Sequence, residues 1–598
     1  MKFHAMFRAL TASLIITICL SSTGTAEAGV QKTLHVSPSG SDKNPGTEAK
    51  PFQTIQRARD EVRKVNRNMS GDIEVMLRGG TYQLGKKLVF DSRDGGTDEY
   101  KVTYRAFPEE KVVISGGRRL WGWKPADDGM WTLDLPEVRS GSWWFRQLFA
   151  DGERMPRGRY PRTGYLKIKN RSSDFKTLEF EQPLPDIDLG GRDAEVVVIE
   201  NWSIAREIID SSSANSLKAR TPVGWLGHSA CLPKPGMSAF LEHSLSFVKK
   251  PGQWYLNRAN GRLHYKAAEG ENPNRRQFVA PALEQLVKIE GSRREPVRNL
   301  HFRDIRFAHA AWKMPRIGYA GIQACYYGKT LSDGIAFAAS VAIELTRAED
   351  CSLRGCRLSS VGGSGLGLGA GCRRNKIVGC EIADIGGNGL MVGYMPKKQP
   401  HSTDWSDLRD APAGNEISNC YVHHCGATLF GGVGIFDAMT QDTRIAHNEV
   451  AHLPYTGIST GYIWNTAPTS QKNCLIACNH VHDVMELLYD GGTLYTLGFQ
   501  PGSIIRDNLM HGVRRSKHSF GHAPNNGIFF DQGSKGFLVS GNVIYDTADK
   551  PIRFNQCKRE WQTWRENSLG IAPDDPRFPR KTAANAGLQT PWKTRLKK

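Results

Sequence analysis

The chain has no stretch of 18 consecutive apolar residues, and that absence excludes a membrane-spanning helix. It has no CxxC and no Cys/His spacing of the zinc-site kind, so no metal ligand set and no cofactor are read from it. Clustered acids of the calcium-binding type are missing. So is any Gly-His-Gly, and the two Asp-Asp pairs, Asp127-Asp128 and Asp574-Asp575, fall outside the repeated region described below. Hairpin turn signals become scarce after residue 340, which argues against an ordinary antiparallel sandwich there. Acidic residues are also in deficit: 60 against 79 basic, a formal charge of +19.

At the N-terminus, Lys2 and Arg8 precede a short apolar run at residues 9–20, and Ala26-Glu27-Ala28 follows as a cleavage site. Residues 1–28 therefore read as a cleaved export signal. The mature protein is expected to be secreted or periplasmic and is read as a monomer. For an exported basic protein, nucleic acid is not the expected partner; a polysaccharide or oligosaccharide is, an anionic one included. Loss of the signal leaves eleven of the twelve cysteines. That number is odd, and most of them occupy repeat positions, which favours buried thiols over a disulfide framework.

Three textures follow. Residues 29–160 open with strand and turn signals around one helix-like stretch, TIQRARDEVRKV, whose Ile55, Ala58 and Val62 share a face. They read as the start and cap of a solenoid, with Trp121, Trp123, Trp131, Trp143 and Trp144 as core. Residues 161–280 alternate in the manner of antiparallel hairpins, one turning at Asn260-Gly261, and read as a β-sandwich-like insertion. Over 281–555 a repeat recurs: CRLSS, CEIAD, CYVHH, NEVAH, NHVHD, NLMHG and NVIYD, each followed by glycine and a short strand. One such turn cannot bury its apolar face alone, so turns stack. The fold expected is all-β, a right-handed parallel β-helix with an inserted β-sandwich-like domain. Asparagines at the repeated corner are expected to form a ladder, with Cys356, Cys380 and Cys420 continuing it. Residues 556–598 read as a tail capping the last coil.

Two copies of one word carry chemistry: LLYDGG at 487–492 and IFFDQG at 528–533. If they are equivalent strands of consecutive coils, Asp490 and Asp531 stack about 4.8 Å apart on one face. Two carboxylates that close divide into one protonated and one ionised group. That is the pair a glycosidase uses, at roughly the 5 Å of the retaining class. Around them, Asp437, Trp464, Tyr495, His518 and His522 are candidates for binding sugar, and Asn555 in PIRFN stands at the matching place one coil on. His482 and Asp483 belong to the repeated corner and read as structural.

The words VSPSGSDKNPGTEAKPFQTIQRARD, LRGGTY, VTYRAFPEEKVVISGG, FRQLFADGERMPRGRYP, PGQWYLNRANGRLHY, YTGISTGY, LLYDGGTLYTLG and IFFDQGSKGFLVSGNVIYD resemble glycoside hydrolase family 141 across most of the mature chain. The resemblance implies a right-handed parallel β-helix with a β-sandwich insertion, and activity as an α-L-fucosidase on complex pectin or as a xylanase. It also implies catalytic aspartates at motifs matching those of Asp490 and Asp531. Two rivals differ in class: a lyase acting on uronate polysaccharide, to which the basic charge points, and a non-catalytic glycan-binding β-helix.

Overall fold

The computed structural model describes residues 29–328, 336–393, 408–518, 520–521 and 523–597. The expected export signal and His522 lie outside the described residues. The short strands of the repeat pair in parallel with their counterparts one coil away, giving three long sheets of 12, 10 and 11 strands among the described residues. The reason is visible in one column of the ten-stranded sheet, where Ile435, Ile458, Leu494, Ile528 and Ile552 stack in register. Each side chain covers the apolar face that its neighbour cannot cover, and burial of roughly 25 cal/mol per Å² accumulates coil by coil.

The corner ladder forms as the repeat predicts. Asn448, Asn479, Asn508, Asn542 and Asn567 pass a hydrogen bond along the axis, each side-chain amide donating to the next Oδ1 at 2.9–3.0 Å. Cys420 heads the column, its backbone N–H donating to Asn448 Oδ1. The thiols of Cys356, Cys380 and Cys420 donate to carbonyls of the preceding coil. Eleven described cysteines are free, ten of them buried. Helix Ile55–Val65 closes the N-terminal end with Ile55, Ala58 and Val62 inward, its first turn capped by Thr54.

Three expectations need correction. Antiparallel strands begin at Gly117, ahead of residue 161: Gly117–Leu120 and Phe149–Ala150 both pair with Phe278–Pro281. Pieces of two to four residues are too short for alternation to show in sequence. Trp123 and Trp143 are buried there, but Trp121 is 70% exposed and is not core. The third correction concerns the tail. Thr563–Arg565 and Ser568–Leu569 add one more coil beyond residue 555. The chain then doubles back along the outside of the solenoid rather than capping its end: Gly587 N–H reaches Cys478 O, Gln589 N–H reaches Asn419 Oδ1, and Arg595 pairs with Asp304 at 2.6 Å. Basic side chains on this return segment meet acids at coil corners, a match that composition alone does not locate. No helix among the described residues is long and apolar enough to cross a membrane.

Candidate active site

The ten-stranded sheet positions the site. In strands Gly492–Thr496, Asn526–Phe530 and Ile552–Phe554, Leu494, Ile528 and Ile552 face inward. By period two, Tyr495, Phe529 and Arg553 face outward in the next column. Asp531 and Asn555 stand two residues further along the last two strands, on that same outward face.

The register differs from the one the repeated word suggests. Gly492 pairs with Asn526, and Thr496 with Phe530. LLYDGG therefore lies ahead of its strand and reaches it only at Gly492, while IFFDQG begins inside its own strand and runs past the end at Phe530. The counterpart of Asp531 in the coil before is Leu497, not Asp490. Asp490 sits instead in the connection entering the strand, in a left-handed conformation at φ 65°. That turn is what the alternation pattern could not register, since an Asp tolerates it without glycine. One-coil stacking thus does not set the separation of the two acids, and the spacing argument for retention falls away.

The fold nevertheless brings both carboxylates to one cavity of about 370 Å³. Tyr455, Trp464, Tyr495, Asp490, Asp531 and Asn555 come from the coils. Trp202, Trp225 and His228 come from loops of the insertion, and Gln323 from the strand Tyr319–Gln323 that pairs with it. These loops are anchored at the site: Trp202 Nε1 donates to Ile322 O at 2.6 Å, and Tyr489 N–H to Asn201 O at 3.1 Å. A larger cleft of about 600 Å³, bounded by Lys86, Lys87 and Ala338–Val341, has no aromatic side chain in its wall among the described residues.

The two acids live in opposite surroundings. Asp490 Oδ1 pairs with Arg553 Nη1 at 2.7 Å, and the Arg553 guanidinium lies 4.0 Å above the Phe529 ring. The Asp490 backbone is fixed by its own N–H to Asn525 Oδ1 and by the Tyr455 hydroxyl donating to its carbonyl. Asp531 is buried. Its Oδ2 accepts from the Tyr495 hydroxyl at 2.5 Å and its Oδ1 from Asn555 Nδ2 at 2.7 Å. Burial pushes the Asp531 carboxyl above the ordinary carboxylate range; the Tyr495 and Asn555 bonds pull the other way without cancelling it, and the charge of Asp490 adds to the rise.

Of the other expected residues, Trp464 and Tyr495 line the cavity, and Asn555 touches Asp531. Asp437 does not reach it. Asp437 stacks with Thr460 and then Thr496, one place short of the Asp531 position, so it points into the solenoid core. It is fully buried, accepting from Thr440 Oγ1, Thr460 Oγ1 and Gln471 Nε2, and burial raises its pKa. His518 also stands outside the cavity wall: its ring packs on Tyr165 of the insertion, 4.6 Å between centroids, and its carbonyl accepts from Ser238 Oγ. Sequence reading missed Trp202, Trp225, His228, Gln323 and Arg553. For Arg553 a signal existed, since it precedes Asn555 by two in PIRFN and so shares its face. The insertion residues offered none.

Comparison with known proteins gives two family models on this chain, a right-handed beta helix region over residues 341–544 and a GH141 insertion domain over residues 128–267. A solved glycoside hydrolase superposes over 94% of this chain and 100% of its own, with a TM-score of 0.85 at 24% identity. The structure of XylC with xylose covers 87% of this chain and 69% of its own, with a TM-score of 0.48 at 12% identity. The uncharacterized protein YwoF of Bacillus subtilis (strain 168) is 33% identical over 114 residues, which is 19% of this chain and 22% of that protein.

Proposed function

We propose that the chain, with a GH141 insertion domain set in a right-handed β-helix, belongs with glycoside hydrolase family 141 and is an exported α-L-fucosidase-type enzyme acting on terminal sugars of cell-wall polysaccharide. The observation that carries this reading is the division of labour between two carboxylates on one cavity wall. Asp531, buried and raised in pKa, holds the proton that passes to the glycosidic oxygen as the C–O bond breaks and the electron pair leaves with that oxygen. Asp490, charged against Arg553, faces the oxocarbenium-like anomeric centre. Tyr495 and Asn555 keep Asp531 in place.

The cavity's volume of about 370 Å³ and its mixed wall of coil and insertion residues favour a terminal sugar over the interior of a chain. Insertion loops carrying Trp202, Trp225 and His228 form part of its wall together with the coils. Aromatic faces stack on sugar C–H surfaces, and Ile322 beside the tryptophans suits the methyl group of a deoxy sugar better than a hydroxymethyl. The lyase alternative needs a cationic base at the reacting carbon. Among the described residues the cavity wall contains no lysine, and Arg553 is committed to Asp490.

The test is an assay of the wild-type chain on an aryl α-L-fucoside, xylan and pectin fractions. Release of fucose as new reducing ends, abolished in Asp490→Asn, is expected. Ultraviolet absorbance of an unsaturated uronide in the products, or undiminished turnover by Asp490→Asn, refutes the assignment. A second expectation concerns pH. The Tyr495 hydroxyl favours the ionised form of Asp531, so Tyr495→Phe raises the pKa of the acid further. The alkaline limb of kcat/KM then moves to higher pH, by about one unit for one lost bond to a charged group. A limb that stays put or moves to lower pH contradicts the role given to Tyr495.

A further inference from the structure

The outer face of the eleven-stranded sheet carries a second constellation, remote from the cavity and absent from the reading above. In strand His480–His482 the two histidines are two residues apart and so project from the same face. Register then supplies a partner for each: Glu449 pairs with His480 from the coil before, and His511 follows Met510, the partner of Val481, which sets it beside His482 from the coil after. Three coils thus contribute a two-by-two block of one carboxylate and three imidazoles.

The donor atoms converge. His480 Nε2 lies 2.8 Å from His511 Nε2, and His482 Nε2 lies 3.4 Å from Glu449 Oε1. Ligand atoms of Glu449, His480 and His482 all fall within 4.8 Å of one another. Around a tetrahedral zinc ion with bonds of about 2.0–2.1 Å, adjacent donors stand roughly 3.3 Å apart, and the His482–Glu449 separation of 3.4 Å matches that value. An outer partner is present as well. His482 Nδ1 meets Asp483 Oδ2 at 2.8 Å, and Asp483 is held by Arg514 at 3.2 Å. Donation from Nδ1 leaves the Nε2 lone pair free for a metal, the arrangement by which carboxylates orient ligating histidines.

We propose that Glu449, His480 and His482 form a binding site for a divalent transition metal of the zinc class, with His511 as a flanking partner of His480. The return segment of the tail competes for it: Lys597 Nζ sits 2.7 Å from Glu449 Oε1, where the ion's charge would otherwise act. A metal there crosslinks two coils and displaces the lysine, so metal binding and release of the chain's last residues are coupled.

Zinc binding is measured with Zn²⁺ alone, by equilibrium dialysis and metal analysis of the full chain after removal of any affinity tag. One ion per chain is expected. Asp483→Asn weakens binding about 10- to 100-fold, His480→Ala weakens it more, and Lys597→Ala tightens it. Circular dichroism checks that each variant folds, and Asp483→Asn, which removes no ligand, serves if His480→Ala does not. Absence of stoichiometric zinc in the wild type, or equal zinc retention by wild type, His480→Ala and Asp483→Asn, overturns the site.

Discussion

Asp531→Asn is expected to lower kcat about 100- to 10,000-fold on glycosides with a poor leaving group, the range that general-acid catalysis contributes. An amide of the same shape keeps an acceptor for one of Tyr495 and Asn555 but has no acidic proton to give. The effect depends on the substrate. A dinitrophenyl glycoside, whose phenolate leaves without protonation, retains most of its bond-breaking rate in this variant, whereas an alkyl or sugar leaving group does not. Asp490→Asn loses both, because the charge opposite the anomeric centre is needed whatever the leaving group. Buried Asp531 carries a desolvation cost when ionised, so neutral asparagine leaves folding intact and the loss is catalytic. Equal loss on both substrates in Asp531→Asn would remove the proton-donor role.

The second large effect concerns stability. Glu195, fully buried on strand Glu195–Ile199 of the insertion, meets Arg146, Arg157 at 2.7 Å and Arg206 at 3.2 Å. Glu242 shares two of these partners, Arg157 and Arg206. Burial alone would raise the Glu195 pKa; the guanidiniums of Arg146 and Arg157 overcome it and hold the carboxyl well below its ordinary range. Glu195→Gln leaves three buried cations against one carboxylate, and stranding buried charge costs about 3–5 kcal/mol. A denaturant titration followed by tryptophan fluorescence measures it. The exposed pair Arg262–Asp134 is the control, since Asp134→Asn should cost under about 1 kcal/mol. A Glu195→Gln midpoint no different from the control's would show that the cluster is not a stabilising junction. The cluster also ties the insertion to the coils, Arg206 Nε donating to Thr428 O. Loosening it should therefore disturb the loops bearing Trp202 and Trp225 and raise KM.

The solenoid was legible in the sequence because its cause is local and repeated. An apolar inward column, a glycine corner and a stacking asparagine recur within each turn, and each copy states the same demand for a neighbour. Asp531 and Asn555 were legible for the same reason: strand parity puts each on the outward face, and one-coil register sets them side by side. Asp490 was chosen by its word and reached the cavity by a different route, through a turn that shifts it out of the strand. Asp437 shows the converse, the same spelling one register place away and therefore facing the core. The tail's course was not readable either, because the acids that meet Arg595 and Lys597 lie at Asp304 and Glu449, far away in the chain.

The sequence by itself determined the stacked coils, the corner ladder and the identity of one buried acid, since each follows from side-chain periodicity and pairing between adjacent turns. Tertiary structure alone decided by what route Asp490 reaches that acid's cavity, which tryptophans of the insertion wall it, and that Glu449, His480, His482 and His511 meet. Those contacts join loops and coils of unrelated sequence spacing, and no local pattern encodes where an inserted domain folds back or which side chains three successive turns bring to one point.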